Sequence, residues 1–387
     1  MHRPRVSICI PSYNNATYLG ECIESALRQT YASREVIVSD DASTDLSLEV
    51  ASRFGDRVRL FAQHKNRGQP RNTMHCIERA QGEYILILHS DDALLPNCLQ
   101  RLVPLLDAHG HVGLAAGERF ERDEAGPYQA IAPFYDGDYL IPGERQAKVF
   151  MLAAMVPCQV LVRKSVLLAA GGIDERHIVN LDGLLWFRCA LQADVAYVQT
   201  PVCVYRRHAN STTSQCNRTV RHMMDYHATL MEMFRLAADR PYLRQYFDIA
   251  EKRVGELTVR YCRQVLQERD FSLARRFLAL AQVFDPGVVE RPDFQLLQCC
   301  LASTDGDPLT LYKRLATNEE SKRRHSYEPP EGSRPLPEQL DEYLAWIRAG
   351  QSAATERSCS TAAGAGSAAP PPCPGYGGSQ PHTFAPS

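Results

Sequence analysis

The sequence has no run of about 18 consecutive apolar residues, and the chain goes almost at once into a short apolar stretch, Val6 to Ile10, with no hydrophobic leader core before it. Neither a membrane-spanning helix nor a secretory signal is expected. A surplus of positive charge is missing too: 43 Lys and Arg stand against 45 Asp and Glu in 387 residues, so there is no broad cationic field to capture nucleic-acid phosphates. Any nucleotide bound here is expected to be a small one. No GxGxxG follows the first apolar run, and no GxxxxGK followed by Ser or Thr occurs, which removes the commonest dinucleotide-binding and P-loop readings. The 13 cysteines form no CxxC pair and no ligand-spaced cluster, and apart from Cys299 and Cys300 they are scattered singly. Reduced thiols in a cytosol fit that pattern better than a disulfide framework. The stretch from Gln351 to Ser387 lacks Leu, Ile, Val and Met altogether. It cannot bury enough apolar surface to offset its ordering entropy, so a disordered tail is expected over 351–387.

What the sequence does contain is an alternation. Short β-branched or apolar runs at Val6–Ile10, Glu35–Ser39, Val58–Ala62, Tyr84–Leu88, Val112–Ala116 and Val160–Val162 are separated by helical patterns. That order predicts βαβ units and one α/β domain over 1–214, with a mostly parallel sheet flanked by helices. Leu19, Cys22, Ile23, Ala26 and Leu27 recur at helical spacing, and Pro96 sits where a helix would begin ahead of Leu99, Leu102, Val103 and Leu106. Beyond this the strand signals stop. Residues 215–350 read as an α-helical appendage, in which Tyr261 to Phe284, bending at Arg269-Asp270-Phe271, forms one helix-turn-helix hairpin.

In an open α/β sheet, ligands bind outside the carboxyl ends of the strands. Those ends carry Pro11-Ser12-Tyr13-Asn14, Asp40-Asp41-Ala42-Ser43-Thr44-Asp45, Asn66-Arg67-Gly68 and His89-Ser90-Asp91-Asp92. Two acidic pairs on one edge repel each other and raise each other's pKa. A divalent cation or a hydrogen-bonded ligand relieves this, and hard oxygen donors suit Mg²⁺ or Mn²⁺.

The string Val36 to Asp45, following Pro11-Ser12-Tyr13-Asn14 and preceding Gly82-Glu83-Tyr84 and Ser90-Asp91-Asp92, resembles the family-two inverting glycosyltransferases of GT-A fold. The likeness covers roughly residues 4–212. It continues through Arg163-Lys164, Gly171-Gly172-Ile173-Asp174-Glu175, Asp182 with Leu185-Trp186-Phe187-Arg188, and Tyr205-Arg206-Arg207-His208. The resemblance implies an enzyme that moves a sugar from a nucleotide-diphosphate donor, with Mn²⁺ or Mg²⁺, onto a hydroxyl of a saccharide or lipid-linked acceptor, as in bacterial polysaccharide synthesis. It implies a cytoplasmic protein, peripheral on the inner face of the membrane where such acceptors reside. Residues 215–285, with 12 Lys or Arg against nine Asp or Glu, give only a slight positive excess for that contact.

Carried across residue by residue, Pro11 and Tyr13 resemble the floor and stacking wall under the donor base, and Asp41 the carboxylate that recognises it. Asn14, Asp40, Asn66, Arg71, His89, Ser90 and Asp92 fall in the same donor site. Asp91 resembles the metal ligand of the DxD motif, His208 a histidine that reaches metal or phosphates, and Asp182 the base that takes the acceptor proton. Plainer readings stand beside these: a turn or helix cap for Asp40, a surface carboxylate for Asp91, an N-cap for Asp182, a loop residue for His208. The sequence also departs from the pattern, with His89 in place of the first Asp of DxD, Leu181 in place of a Glu before the base, and Arg71 about two places early. These departures motivate a rival reading, a degenerate nucleotide-sugar-binding module that recruits partners through its helices. The polar segment Glu118–Arg145, with Tyr128, Phe134, Tyr135 and Tyr139, falls where the family places acceptor-facing loops, and stacking on sugar rings is one expectation for these aromatics, packing under the loop the other.

Overall fold

Apolar runs become strands here because both faces of the sheet are covered. Along Val6–Ser12 (β1) every residue is buried, yet the two faces feed different layers. Val6, Ile8 and Ile10 pack with Leu19, Cys22, Ile23 and Ala26 of the Ala16–Leu27 helix on one side. Cys9 packs with Cys76 and Ile77 of the Gln69–Arg79 helix on the other. The period-2 alternation of a strand thus meets the 3.6-residue stripe of a helix on each face. The computed structural model describes residues 4–124, 126–177, 180–217, 219–304, 306–316 and 326–336. The expected tail, 351–387, lies outside the described residues.

The other strands among the described residues are Arg34–Asp40 (β2), Arg59–Ala62 (β3), Tyr84–Ile87 (β4), Ala93–Leu94 (β5), Val112–Asp123 (β6), Gln129–Ala130 (β7), Tyr139–Ile141 (β8), Val160–Arg163 (β9), Asp194–Arg207 (β10) and Arg334–Pro335 (β11). They form one sheet in the order β11-β8-β10-β6-β9-β4-β1-β2-β3, with β5 on β10 and β7 on β6. β1 pairs in parallel with β2 and β4, and β2 with β3. β9 is antiparallel to both β4 and β6, so β6 and its parallel neighbour β10 point the same way as the first four strands. The sheet is therefore mixed but mostly parallel, with flanking helices and a helical C-terminal region, the GT-A arrangement. The carboxyl ends of β1, β2, β3, β4 and β10 lie toward one edge.

Two strands run against the sequence reading. β10 is interrupted at Pro201, which has no N–H to give to a ladder, and the register with β6 shifts on either side of it. β11, only Arg334 and Pro335, lies beyond the point where strands were expected to end and pairs with Tyr139 and Leu140. Phe134 and Tyr135 are core residues, 5% and 0% exposed, and Tyr139 sits in β8. Phe134 and Tyr135 thus fill the fold, and Tyr139 packs partly buried against the same core. Helices follow from residue 221: Arg221–Leu236, Phe247–Gln267, Phe271–Phe284, Pro292–Ala302 and Pro308–Leu315 among them. The hairpin bend is built by Arg269 at φ +67° and by Asp270, whose carboxylate accepts the Leu273 N–H at 2.9 Å as an N-cap. Phe277, Leu297 and Leu301 belong to the same apolar cluster as Cys9 and Ile37, so the helices share a core with one face of the sheet. Among the described residues no helix is long and apolar enough to cross a membrane.

Candidate active site

Beyond the carboxyl ends of the parallel strands opens a cavity of about 460 Å³. β1 runs into Pro11, Ser12, Tyr13 and Asn14, all of which line it. Asn14 takes φ +48°, a conformation that Asn tolerates better than most residues. It is held there by bonds to the neighbouring turn, its N–H donating to Ser43 Oγ at 2.9 Å and its Oδ1 accepting the Thr44 N–H at 2.7 Å. Tyr13 stands 46% exposed at the mouth. The hydroxyl of Ser12 is buried without a hydrogen-bond partner, on the lining of a cavity able to hold one.

The two β2 carboxylates do different work. Asp40, 2% exposed, spends both oxygens on Ser43, accepting its N–H at 2.9 Å and its hydroxyl at 2.6 Å. It holds the turn and does not line the cavity. Asp41 does line it, and accepts the Arg67 N–H at 2.9 Å and the Gly68 N–H at 2.8 Å, fixing the loop that carries Asn66. Gly68 precedes the Gln69–Arg79 helix, whose residues Gln69, Asn72 and Thr73 face the cavity at helical spacing. Arg71 is off that stripe. Its Nε donates to Glu175 at 2.5 Å, and the residue is not part of the lining.

After β4, His89, Ser90 and Asp91 line the cavity and Asp92 does not. Burial lowers the pKa of His89, so a neutral imidazole stands there, within 3.2 Å of the Gln69 amide. Asp91 Oδ2 lies 3.0 Å from His208 Nε2, which arrives from the end of β10. Burial alone would raise the pKa of Asp91, but the hydrogen bond from His208, together with the adjacent imidazoles and the residue's own backbone N–H, outweighs it and holds the carboxylate below its ordinary range. Asp92, 3% exposed, goes the other way: burial and the charge on Asp91 push it well up, against the Arg206 N–H that it accepts at 3.0 Å. Its role is to tie the β4 loop to β10.

Arg206 completes that tie. Its guanidinium, 4% exposed, donates from Nε to the Asp91 carbonyl at 2.9 Å and from Nη2 to Glu21 at 2.7 Å, and stacks on the Tyr18 ring at 4.7 Å. Arg206→Ala is expected to lower stability by about 2–4 kcal/mol in urea unfolding, since Glu21 and the carbonyls of Asp91 and Glu124 lose the cation that donates to them. An unchanged midpoint would show that these bonds contribute little.

On the opposite wall, Asp182 lies in the first turn of the Leu181–Ala190 helix and lines the cavity with Leu181 and Leu185. The N-cap is Asn180, not Asp182. Asp182 Oδ1 accepts the N–H of Gly183 at 3.0 Å, and burial pushes the carboxyl's pKa up to about 6. The chain reaches this wall through Gly171 and Gly172, at φ +88° and +66°. A side chain on Gly171 would meet only the movable end of Arg188, its guanidinium at 2.8 Å, so it is the positive φ of the turn that calls for glycine.

The structure thus brings Pro11, Tyr13, Asn14, Asp41, Asn66, His89, Ser90, Asp91, Asp182 and His208 around one cavity, with Asp40, Arg71 and Asp92 outside its lining. It adds Asn15, Tyr18, Gln69, Tyr205, Asn210 and Ser211. Of these, Tyr205 and Asn210 could have been found from their position beside His208. Gln69 could have been found from its place at the start of a helix facing the sheet edge.

A sheet of this topology, with acidic residues gathered at the carboxyl ends of its parallel strands, defines a nucleotide-sugar-transferase type of fold. Residues 7–167 match the family model "Glycosyl transferase family 2". A Mycobacterium tuberculosis protein, MT1568, is 30% identical over 239 residues, spanning 58% of this chain and 73% of its own length. The Rickettsia typhi glycosyltransferase RT0329 is 27% identical over 235 residues, 59% of this chain and 70% of its own. Among solved structures, S. aureus TarS 1-349 in complex with UDP-GlcNAc aligns at 15% identity and a TM-score of 0.48, covering 80% of this chain and 89% of that one. The chain belongs to glycosyltransferase family 2.

Proposed function

We propose that the protein is an inverting transferase that binds a nucleotide-diphosphate sugar between Tyr13, Asp41 and Asp91 and delivers the sugar to an acceptor hydroxyl held at Asp182. The observation that carries this reading is the pairing of two unlike carboxylates on one cavity. Asp91 is kept ionised beside His208, whereas burial tunes Asp182 to about 6, close to the pH at which a base both is free and can take a proton.

The residues fit a divalent ion. Among the described residues no three His, Cys, Asp or Glu side chains gather as a closed cage. Mg²⁺ and Mn²⁺ usually take only one or two protein ligands and leave the rest to water and substrate phosphates. Asp91 Oδ2 and His208 Nε2 would hold such an ion, and it would supply positive charge against the leaving diphosphate. The neutral imidazole of His89 stands where the family has a carboxylate, so this site carries one negative charge fewer.

The rest of the reaction belongs to the chain's own groups. Asp41 and the Asn66–Gly68 loop, locked together by two hydrogen bonds, offer a rigid rim for the base of the donor, with Tyr13 to stack on it. Asp182 accepts the acceptor proton as the oxygen attacks the anomeric carbon opposite the leaving group, a single displacement that inverts configuration. Leu181, Leu185, Val156, Pro157 and Ile173 give the lining an apolar share that keeps competing water away from the acceptor hydroxyl. A saccharide or lipid-linked saccharide is the acceptor class this reading favours. A cytoplasmic setting agrees with the cysteines described, all of which are free thiols.

The test is a screen of nucleotide-diphosphate sugars with Mn²⁺, reading release of the nucleoside diphosphate. Release from one or a few donors above background is expected. Donor binding with no release from any of them would favour the binding-module reading.

A further inference from the structure

We propose that Thr229, on the Arg221–Leu236 helix, is a positioning residue for Asp182: with Asp225 it fixes Asn180, and so the first turn of the helix that carries the base. The inference rests on the reading of Asp182 as that base. Its starting point is an N-cap that does not cap. An Asn at this position normally turns its side chain onto a free N–H of the first helical turn. Asn180 makes no such bond. Its Nδ2 instead donates to Thr229 Oγ1 at 2.8 Å, and its backbone N–H donates to Asp225 Oδ2 at 3.3 Å. Both partners come from a helix some 45 to 49 residues further along the chain.

The anchor is buried and its hydroxyl both accepts and donates. Thr229 is 0% exposed and Asn180 8%. While accepting from Asn180, the Thr229 hydroxyl donates to the Tyr226 carbonyl at 2.7 Å. Asp225, Thr229 and Glu232 lie on one face of their helix, at i, i+4 and i+7. Asp225 Oδ1 stands 3.4 Å from His177 Nδ1, and Glu232 accepts from Arg176 Nη2 at 3.0 Å. That one face therefore grips the chain on its way into Asp182's helix at three places.

The grip reaches the base through Gly183. A Cβ there would fall 2.5 Å from Asn180 Oδ1, so the diverted Asn180 side chain occupies the space that any other residue would need. With its Nδ2 held by Thr229, Asn180 keeps its Oδ1 beside Gly183 without taking an N–H, and the Gly183 N–H goes to Asp182 Oδ1 at 3.0 Å, a bond that sets the direction of the carboxylate. Freed from Thr229, the Asn180 amide would turn its Oδ1 onto the first helical turn and compete for the same N–H.

The experiment compares Thr229→Val, which keeps the shape and removes the hydroxyl, with Thr229→Ser, which restores it, and places Thr229→Val in an Asp182→Asn background. Thr229→Ala serves as the second hydroxyl-free variant if the valine does not fold. Kinetics use the nucleotide sugar that the wild type turns over. The hydroxyl-free variant should lose about 10- to 10²-fold in kcat, the scale of an ångström's misplacement, with KM for the donor within about twofold. Thr229→Ser should recover most of the loss. In the Asp182→Asn background the valine should cost nothing further, because a residue acting through the base has nothing left to position. Wild-type kcat in the hydroxyl-free variants, beside an inactive Asp182→Asn, would overturn the positioning role and leave the base standing. So would losses that multiply in the double variant, or that Ser does not rescue. An active Asp182→Asn would remove the base and this inference with it.

Discussion

Asp182→Asn is expected to cut sugar transfer by about 10²–10⁴-fold while donor binding survives. The asparagine Oδ1 can still accept the Gly183 N–H, so the helix start keeps its bond, but the amide cannot take up a proton. Stability should move opposite to activity. Burial raises this carboxyl from 3.8 to about 6, so the folded protein holds its proton more tightly than the unfolded chain does. The group favours folding while protonated. That contribution is fully present below about pH 4 and is lost as pH rises through about 6, leaving a charge in the protein at neutral pH that folding does not welcome. A neutral asparagine escapes this, and its Tm at pH 7.5 should match or exceed that of the wild type. The acidic limb of the wild-type kcat/KM profile should fall near pH 6 and be missing from the variant's residual rate. Transfer within about twofold of wild type, or loss explained by a lower Tm, would send the search for the base to Asp174 and Glu175. Asp174 is the weaker of these, because the Arg176 hydrogen bond holds its pKa down at about 2.

Asp91→Asn should cost about 10³-fold in turnover, the several kcal/mol that charge neutralisation at a leaving diphosphate is worth. The variant keeps an oxygen for His208 and the backbone bonds of its loop, so its far-ultraviolet circular dichroism and Tm should stay close to wild type. What it should lose is the Mn²⁺ dependence of donor binding, measured by titrating donor with and without excess EDTA. The wild type in EDTA should resemble the variant in Mn²⁺. Full wild-type activity in excess EDTA would contradict any role for a divalent ion.

Much of the catalytic half was legible because its signals are local. β1, β2, β4 and β6 begin as β-branched or apolar runs, and a parallel sheet buried on both faces demands such runs. The polar clusters after them then fall on one edge by topology alone. β10 was missed because Gln199-Thr200-Pro201 reads as a break, and only pairing with a continuous β6 carries the strand past a residue with no N–H. Arg71 was misplaced for a different reason: motif spacing says how far along the chain a residue is, not which way a helix has turned by then, and Gln69, Asn72 and Thr73 own the facing stripe. Asp40 and Asp41 look alike in sequence. Which one reaches the cavity was decided by hydrogen bonds to Ser43 and Gly68, made after the chain has folded back. The Asn180–Thr229 contact had no sequence signal at all, since an Asn before a helix announces a cap and its actual partner lies on a distant helix.

Single displacement with Asp182 as the base is tested most directly by the anomer of the first free sugar released when water replaces the acceptor. With the nucleotide sugar that the protein turns over, ¹H NMR followed from mixing reads that anomer before mutarotation scrambles it. An α-linked donor should give the β-anomer first, at a rate that collapses in Asp182→Asn. Release of the α-anomer from the outset would mean retention and would contradict the mechanism.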